Sequence, residues 1–246
     1  METALVRERY KVVRVPDARK DYTFAEAVDI LDREQTACLL NIYEGQKLRV
    51  YLPCFDRMSG CHDFLGMFIA GESLVTVFRT GEGSPVDRVF FRGAGHDWRT
   101  RLAYAESLLR EALNIADLPP EISCAAMLPE NVLINRADGR VRLRFKVPPL
   151  EGTNERKLAS LAADQLGKIL LPDAGTPMAQ LDFLGKASSG SCQNVARLYG
   201  LWREWKDKIQ AEYEALEKKN FLTRRLSLLW GRIRRRTAGR DRGEER

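Results

Sequence analysis

The chain is poor in the residues that staple small secreted folds and build metal enzymes. Its five cysteines, Cys38, Cys54, Cys61, Cys124 and Cys192, are scattered over 246 residues. They are odd in number and form no Cys-x-x-Cys pair, which argues against a disulfide scaffold and a zinc ribbon. The two histidines, His62 and His96, stand far apart, too few for a histidine-built metal site. Apolar runs such as 74–78 fall far below the ~18 residues that span a bilayer. The start, Met1-Glu2-Thr3 followed by Arg7-Glu8-Arg9, has no apolar core of a signal peptide. A cytoplasmic chain with no transmembrane segment, no cofactor and no metal is therefore expected. What is present is a globular profile, 44% hydrophobic and 30% charged.

The charge is unevenly placed. Forty basic residues face 34 acidic ones, for a formal +6. The last 26 residues, 221–246, hold nine arginines and three acidic residues, so they carry the whole excess. The body before them is balanced. That composition shift is the clearest boundary in the chain.

Residues 10–15, 24–31 and 36–43 are short apolar or β-branched runs separated by Pro16-Asp17 and Asp32-Arg33-Glu34, the pattern of strands. The segment 48–59 has a helical pattern, with Pro53 expected to kink or shorten it. Two more strands, 66–70 and 73–79, flank a turn at Gly71-Glu72. Beyond them the pattern turns helical. Leu102, Leu108, Leu109, Ala112 and Leu113 make one stripe between 98 and 115. Further helices are expected at 155–171, around 178–184, and from Gln193 onward. One hairpin interrupts them: 132–134, a turn at Ala137-Asp138-Gly139, and a return strand 141–145. On that strand Arg140, Arg142 and Arg144 alternate with apolar residues, giving one buried and one cationic face. Cys38 and Cys124 are expected as small core residues.

An antiparallel sheet with one inserted helix, then a helical half holding one hairpin, resembles the layout of the protein kinases. Leu128-Pro129-Glu130-Asn131-Val132-Leu133-Ile134 and the hairpin after it resemble the catalytic loop, which in that family reads His-Arg-Asp-Leu-Lys-Pro-Glu-Asn-Ile-Leu. Cys38-Leu39-Leu40-Asn41 resembles the third strand, usually Val-Ala-Ile-Lys. The stretch 74–78, with Glu82-Gly83 and a short helix from Pro85, resembles the strand and hinge between lobes. The resemblance runs from about Tyr10 to Trp205. It implies an α+β, two-lobed kinase-like fold: an N-lobe at 8–84, a shortened C-lobe at 85–205, and a charged helix with a cationic tail at 206–246.

The same alignment implies that the chemistry is gone. Phosphoryl transfer needs a base, a phosphate-anchoring lysine and a metal-binding carboxylate. The base position is Ala126, and the lysine two residues later is Leu128. The anchoring lysine is Asn41, neutral and too short to reach a phosphate. Its glutamate partner falls near Cys54, with no carboxylate before Asp56. The first turn, 16–22, has no glycine. The metal aspartate falls at Arg144, a cation that would repel Mg²⁺. Only Asn131 is retained. The chain therefore resembles a degenerate bacterial-type pseudokinase, with no catalytic, cofactor or metal residue of its own. Pseudokinases of the type VII secretion system are a parallel at a membrane, although they carry a transmembrane helix that is missing here. The implied role is that of a regulatory or scaffold domain with a protein partner.

The tail adds a second feature. Leu222, Leu226, Leu229, Trp230 and Ile233 fall on one helical stripe, with Arg224, Arg225, Arg232, Arg235 and Arg236 around it. A basic amphipathic helix suits a partner groove or peripheral contact with an anionic membrane. A plain alternative is a tail docked on the body. Two rival functions differ in class. One is an atypical Ser/Thr kinase-like enzyme that binds nucleotide, with Glu130, Asn131 and Asp138 supplying a metal site. The other is a nucleic-acid-binding adaptor acting through the arginines, which lack an accompanying aromatic platform.

Overall fold

Short apolar and β-branched runs build a six-stranded antiparallel sheet in the first third of the chain. The computed structural model describes residues 5–58, 60–91 and 94–218. The sheet comprises β1 (Leu5–Val6), β2 (Tyr10–Arg19), β3 (Tyr22–Asp29), β4 (Ala37–Tyr43), β5 (Phe64–Ala70) and β6 (Ser73–Arg79), in the order β1-β2-β3-β4-β6-β5. It curls, so that Tyr10 on β2 stacks on Phe68 of β5 with ring centroids 5.9 Å apart. One face closes over Ala25, Ala27, Cys38, Leu40, Val75 and Val77. The other presents Phe24, Leu39, Tyr43, Leu74 and Phe78 to the helices. Cys38 and Cys124 are both buried, and burial raises both thiols, Cys38 to about 11.

Helix α1 (Gly45–Asp56) lies between β4 and β5 and runs through Pro53. The expected shortening does not occur there. Pro53 stands in the last turn on an exposed face, where the unbonded carbonyl four residues earlier can be solvated. The helix instead begins three residues before Leu48, at Gly45, whose φ of 53° suits glycine.

The rest of the described chain is α2 (Val86–Val89), α3 (Trp98–Asn114), α4 (Pro120–Ala126), α5 (Glu155–Ile169), α6 (Met178–Ser188) and α7 (Val195–Glu217). A small sheet joins β7 (Ser84–Pro85), β8 (Val132–Asn135) and β9 (Arg140–Leu143) in that order. The architecture is thus mixed α+β. Side chains of Asp97, Asn154 and Asn194 cap α3, α5 and α7 by accepting from backbone N–H groups inside each first turn. Helix α4 is absent from the sequence reading. Its signal is Pro120 in the first turn, where the missing N–H costs nothing.

Helix α7 passes Trp205 without a break and is docked along its length. Trp202 is fully buried against Phe183, and Ile209, Tyr213 and Leu216 are buried too. Glu106 of α3 accepts from Trp202 Nε1 (2.6 Å), Tyr199 Oη (3.2 Å) and Lys206 Nζ (3.2 Å). Near its end, Trp98 stacks on Tyr213 and donates to Glu217. Among the described residues, no helix is long and apolar enough to cross a membrane.

Candidate functional site

The period-2 alternation of β4 decides where Asn41 goes. Leu39, Asn41 and Tyr43 share the face turned to the helices, and Asn41 is fully buried. A buried amide must find partners, and Asn41 finds three. Its Nδ2 donates to Phe145 O (2.9 Å), while Oδ1 accepts from Val147 N (2.8 Å) and Tyr22 Oη (2.9 Å). Beside it, Tyr43 Oη donates to Val147 O at 2.7 Å, and Tyr51 Oη accepts from Leu150 N at 3.3 Å. Burial pushes all three tyrosine hydroxyls up, Tyr51 to about 12. They remain neutral hydrogen-bonding groups.

From the opposite side, Asn131 holds the same strand of chain. Its Nδ2 donates to Lys146 O (2.6 Å) and Ala125 O (2.7 Å), and its backbone carbonyl accepts from Arg144 N (2.8 Å). Residues 144–147 are therefore clamped between β4 and the loop after α4. Phe145 completes the clamp by stacking on Phe78 at 4.9 Å, nearly parallel.

The mouth of this seam is closed by charge. Arg144 pairs with Glu26 at 2.5 Å, and Glu26 also binds Arg14 at 2.9 Å. Lys146 pairs with Asp17 at 2.9 Å and approaches Glu130 at 3.9 Å; Asp17 also binds Arg19. Both cations lie over the Phe24 ring, 5.1 and 5.8 Å from its centroid. The hydrogen bond from Lys146 holds the Asp17 carboxyl below its ordinary range against burial. That from Arg14, assisted by Arg144, does the same for Glu26.

Of the positions singled out in the sequence, Asn41, Asn131 and Arg144 converge on residues 144–147. Ala126 is buried at the end of α4, and Leu128 is packed against the core; neither offers a polar group. Cys54 faces Glu121 at 3.6 Å, with its thiol raised by burial to about 11. The metal set Glu130, Asn131 and Asp138 is not assembled. Asp138 sits at the tip of the β8–β9 hairpin, bound to Arg142 at 2.6 Å, whereas Asn131 precedes its base. Four residues of strand, at ~3.3 Å each, separate the two ends. Among the described residues no group of three or more His, Cys, Asp or Glu side chains could hold a metal. The tail residues Arg224, Arg225, Leu226, Leu229, Trp230, Arg232, Ile233, Arg235 and Arg236 lie outside the described residues.

Sequence reasoning missed Asp17, Glu26, Tyr22, Tyr43 and Tyr51. One signal could have found the clamp. A lone Asn amid the apolar run 38–43, with a tyrosine two residues on, marks a buried polar group in need of a partner.

No protein-family model matches the chain, and no curated protein matches it. The residues of the seam carry the functional reading alone.

Proposed function

We propose that this chain is a kinase-like domain that has given up phosphoryl transfer and serves as a regulatory or scaffold module, a pseudokinase. In this reading residues 8–84 and 85–205 are the two lobes, with 206–246 as appendage. One observation carries it. Asn41, at the position the resemblance gives to the phosphate-anchoring lysine, makes three hydrogen bonds with its amide, to Tyr22 and to backbone groups of Phe145 and Val147. The supporting observation is Arg144, at the position of the metal carboxylate, which pairs with Glu26, a carboxylate it shares with Arg14. Groups that would hold a nucleotide's phosphates and metal are replaced by groups that hold the protein to itself. In this reading the cationic tail tethers the module to a protein partner or an anionic membrane face.

Thermal melting with and without ATP–Mg²⁺ tests the reading. A site with 1 mM nucleotide at about 100 times its Kd adds ~2.7 kcal/mol, or roughly 5–10 °C for a chain of this size. The expected shift is below one degree, and a rise of several degrees refutes the proposal. Flotation with anionic vesicles, comparing the full chain with one ending at Asn220, tests the tether. Equal binding by both, or by neither, removes the tail's membrane role.

A further inference from the structure

Away from the seam, the corner where α3 starts and α7 ends holds a groove of about 470 Å³. Trp98 of α3, Leu171 before α6 and Tyr213 of α7 give it an apolar base. Trp98 is fixed in place there. It stacks on Tyr213 at 5.0 Å and carries the Arg99 guanidinium 4.2 Å from its ring centroid.

The surroundings of this base are negative. Asp97 and Asp173 line the groove, and each accepts from a backbone N–H, of Thr100 and Gly175, which leaves its charge in place. Glu214 and Glu217 stand in the last turn of α7, where no basic residue balances the negative end of the helix. Arg101 turns its guanidinium to the carbonyls of Ile169 and Leu171. Arg99 pairs with Glu217 at 2.8 Å. Its guanidinium is held above the ordinary value, first by that hydrogen bond and then by the charges of Glu217, Asp97 and Glu214. Three carboxylates thus bear on one guanidinium.

A cationic occupant lies on the same chain. The described residues end at Lys218, five residues past Tyr213, a rise of about 7.5 Å along a helix. Residues 219–246 follow. From 221 on they hold nine arginines against three acidic residues, with Leu222, Leu226, Leu229, Trp230 and Ile233 as the apolar set. Tethered so closely, this segment meets the groove at a local concentration on the order of millimolar.

We propose that residues 221–236 dock back on this groove, with apolar side chains on Leu171 and Tyr213 and arginines toward Asp97, Glu214 and the α7 terminus. The docking goes beyond the loss of phosphoryl transfer and does not depend on it. It also regulates the tether, because docked arginines are withdrawn from a membrane or partner; that consequence alone rests on the tether reading.

Chymotrypsin reads the docking in the full chain, since it cuts after leucine and aromatic residues, and intact mass spectrometry gives the cleavage rate between 222 and 230. Slow cleavage is expected at low salt, and faster cleavage at high salt as screening weakens the charge contacts. Glu214→Lys should speed it about fivefold, the upper scale of one exposed ion pair. That change should not harm α7, because a cation suits a helix C-terminus. Glu72→Lys, the same change in the turn between β5 and β6, should leave the rate as it was. Adding Arg225→Glu to Glu214→Lys should restore part of the protection. Melting curves check that each variant is folded, and the salt series on the parent needs no variant. Cleavage that is fast at low salt, or indifferent to Glu214→Lys, overturns the proposal. So does protection that appears only with anionic vesicles, which gives the tail to the membrane, or only as protein concentration rises, which gives the groove to a second copy. Flotation of Glu214→Lys with anionic vesicles should exceed that of the parent. Equal flotation with faster cleavage supports the docking and removes its competition with the tether.

Discussion

Replacing Asn41 with leucine tests the clamp most directly. The two side chains share one branched skeleton of heavy atoms, leucine being the bulkier by its methyl groups, so the change keeps the shape and removes the hydrogen bonding. Three buried groups lose their partner: the Phe145 carbonyl, the Val147 N–H and the Tyr22 hydroxyl. Each orphaned buried group costs about 1–3 kcal/mol, which puts the sum near 3–6 kcal/mol after some relaxation of the flexible hydroxyl. Against a typical total of roughly 5–15 kcal/mol, that is a large fraction. At about 2–4 °C per kcal/mol, the melting temperature should fall by at least ~6 °C. Urea unfolding gives the free energy, and hydrogen exchange gives the location, since the Val147 amide should lose protection well before the core of α3. Asn41→Lys, which sets a lysine where the proposed resemblance would expect one, should be no milder. An ammonium cannot accept from Val147 N–H and would be buried without a carboxylate. If Asn41→Leu stays within 1 kcal/mol of the parent and the Val147 amide keeps its protection, the clamp is not what holds residues 144–147.

Arg144→Asp should likewise fail to create a metal site. It would set a new carboxylate beside Glu26 and remove a half-buried pair, lowering stability by about 1–2 kcal/mol in urea unfolding, with no rescue by Mg²⁺. Gly83→Ala combines a φ of 141° with the close approach to Ile134 O; a loss of roughly 2–3 kcal/mol is expected, read as a lower urea midpoint. Acid should unfold the chain partly through Glu106. Burial raises its carboxyl, but hydrogen bonds from Trp202, Lys206 and Arg110 outweigh that and hold it at about 2, below its ordinary 4.5. A depressed folded value means that the contribution is complete above about 4.5 and is lost as pH falls towards 2. Urea midpoints across that window should drop less steeply for Glu106→Gln than for the parent; parallel curves would remove Glu106 from the acid response.

Much of the architecture was legible because it follows from local rules. The strands came from short apolar and β-branched runs between turn residues, and the α3 stripe came from helical spacing. The hairpin came from Asp138-Gly139, with Gly139 at a φ of 69°. Pro53 misled because the cost of a proline depends on where the helix ends and whether its face is wet. Helix α4 was missed because a proline pair reads as punctuation, although Pro120 stands where a helix tolerates it.

The candidate site was legible only in its losses. By itself the sequence determined which residues stand at the positions that the proposed resemblance aligns: asparagine at 41, alanine at 126 and arginine at 144. It also confined the net charge to residues 221–246. The tertiary structure alone decided what those positions do instead. Asn41 meets Phe145 across 104 residues of chain, and Arg144 meets Glu26 across 118. Such pairings depend on how the curled sheet sits on the helices, and no spacing rule along the chain encodes them. The same physics added to one expectation. Arg144 reads in the sequence as a lone cation, and in the fold it pairs with Glu26, which it shares with Arg14. What a charge does is set by its neighbours in space.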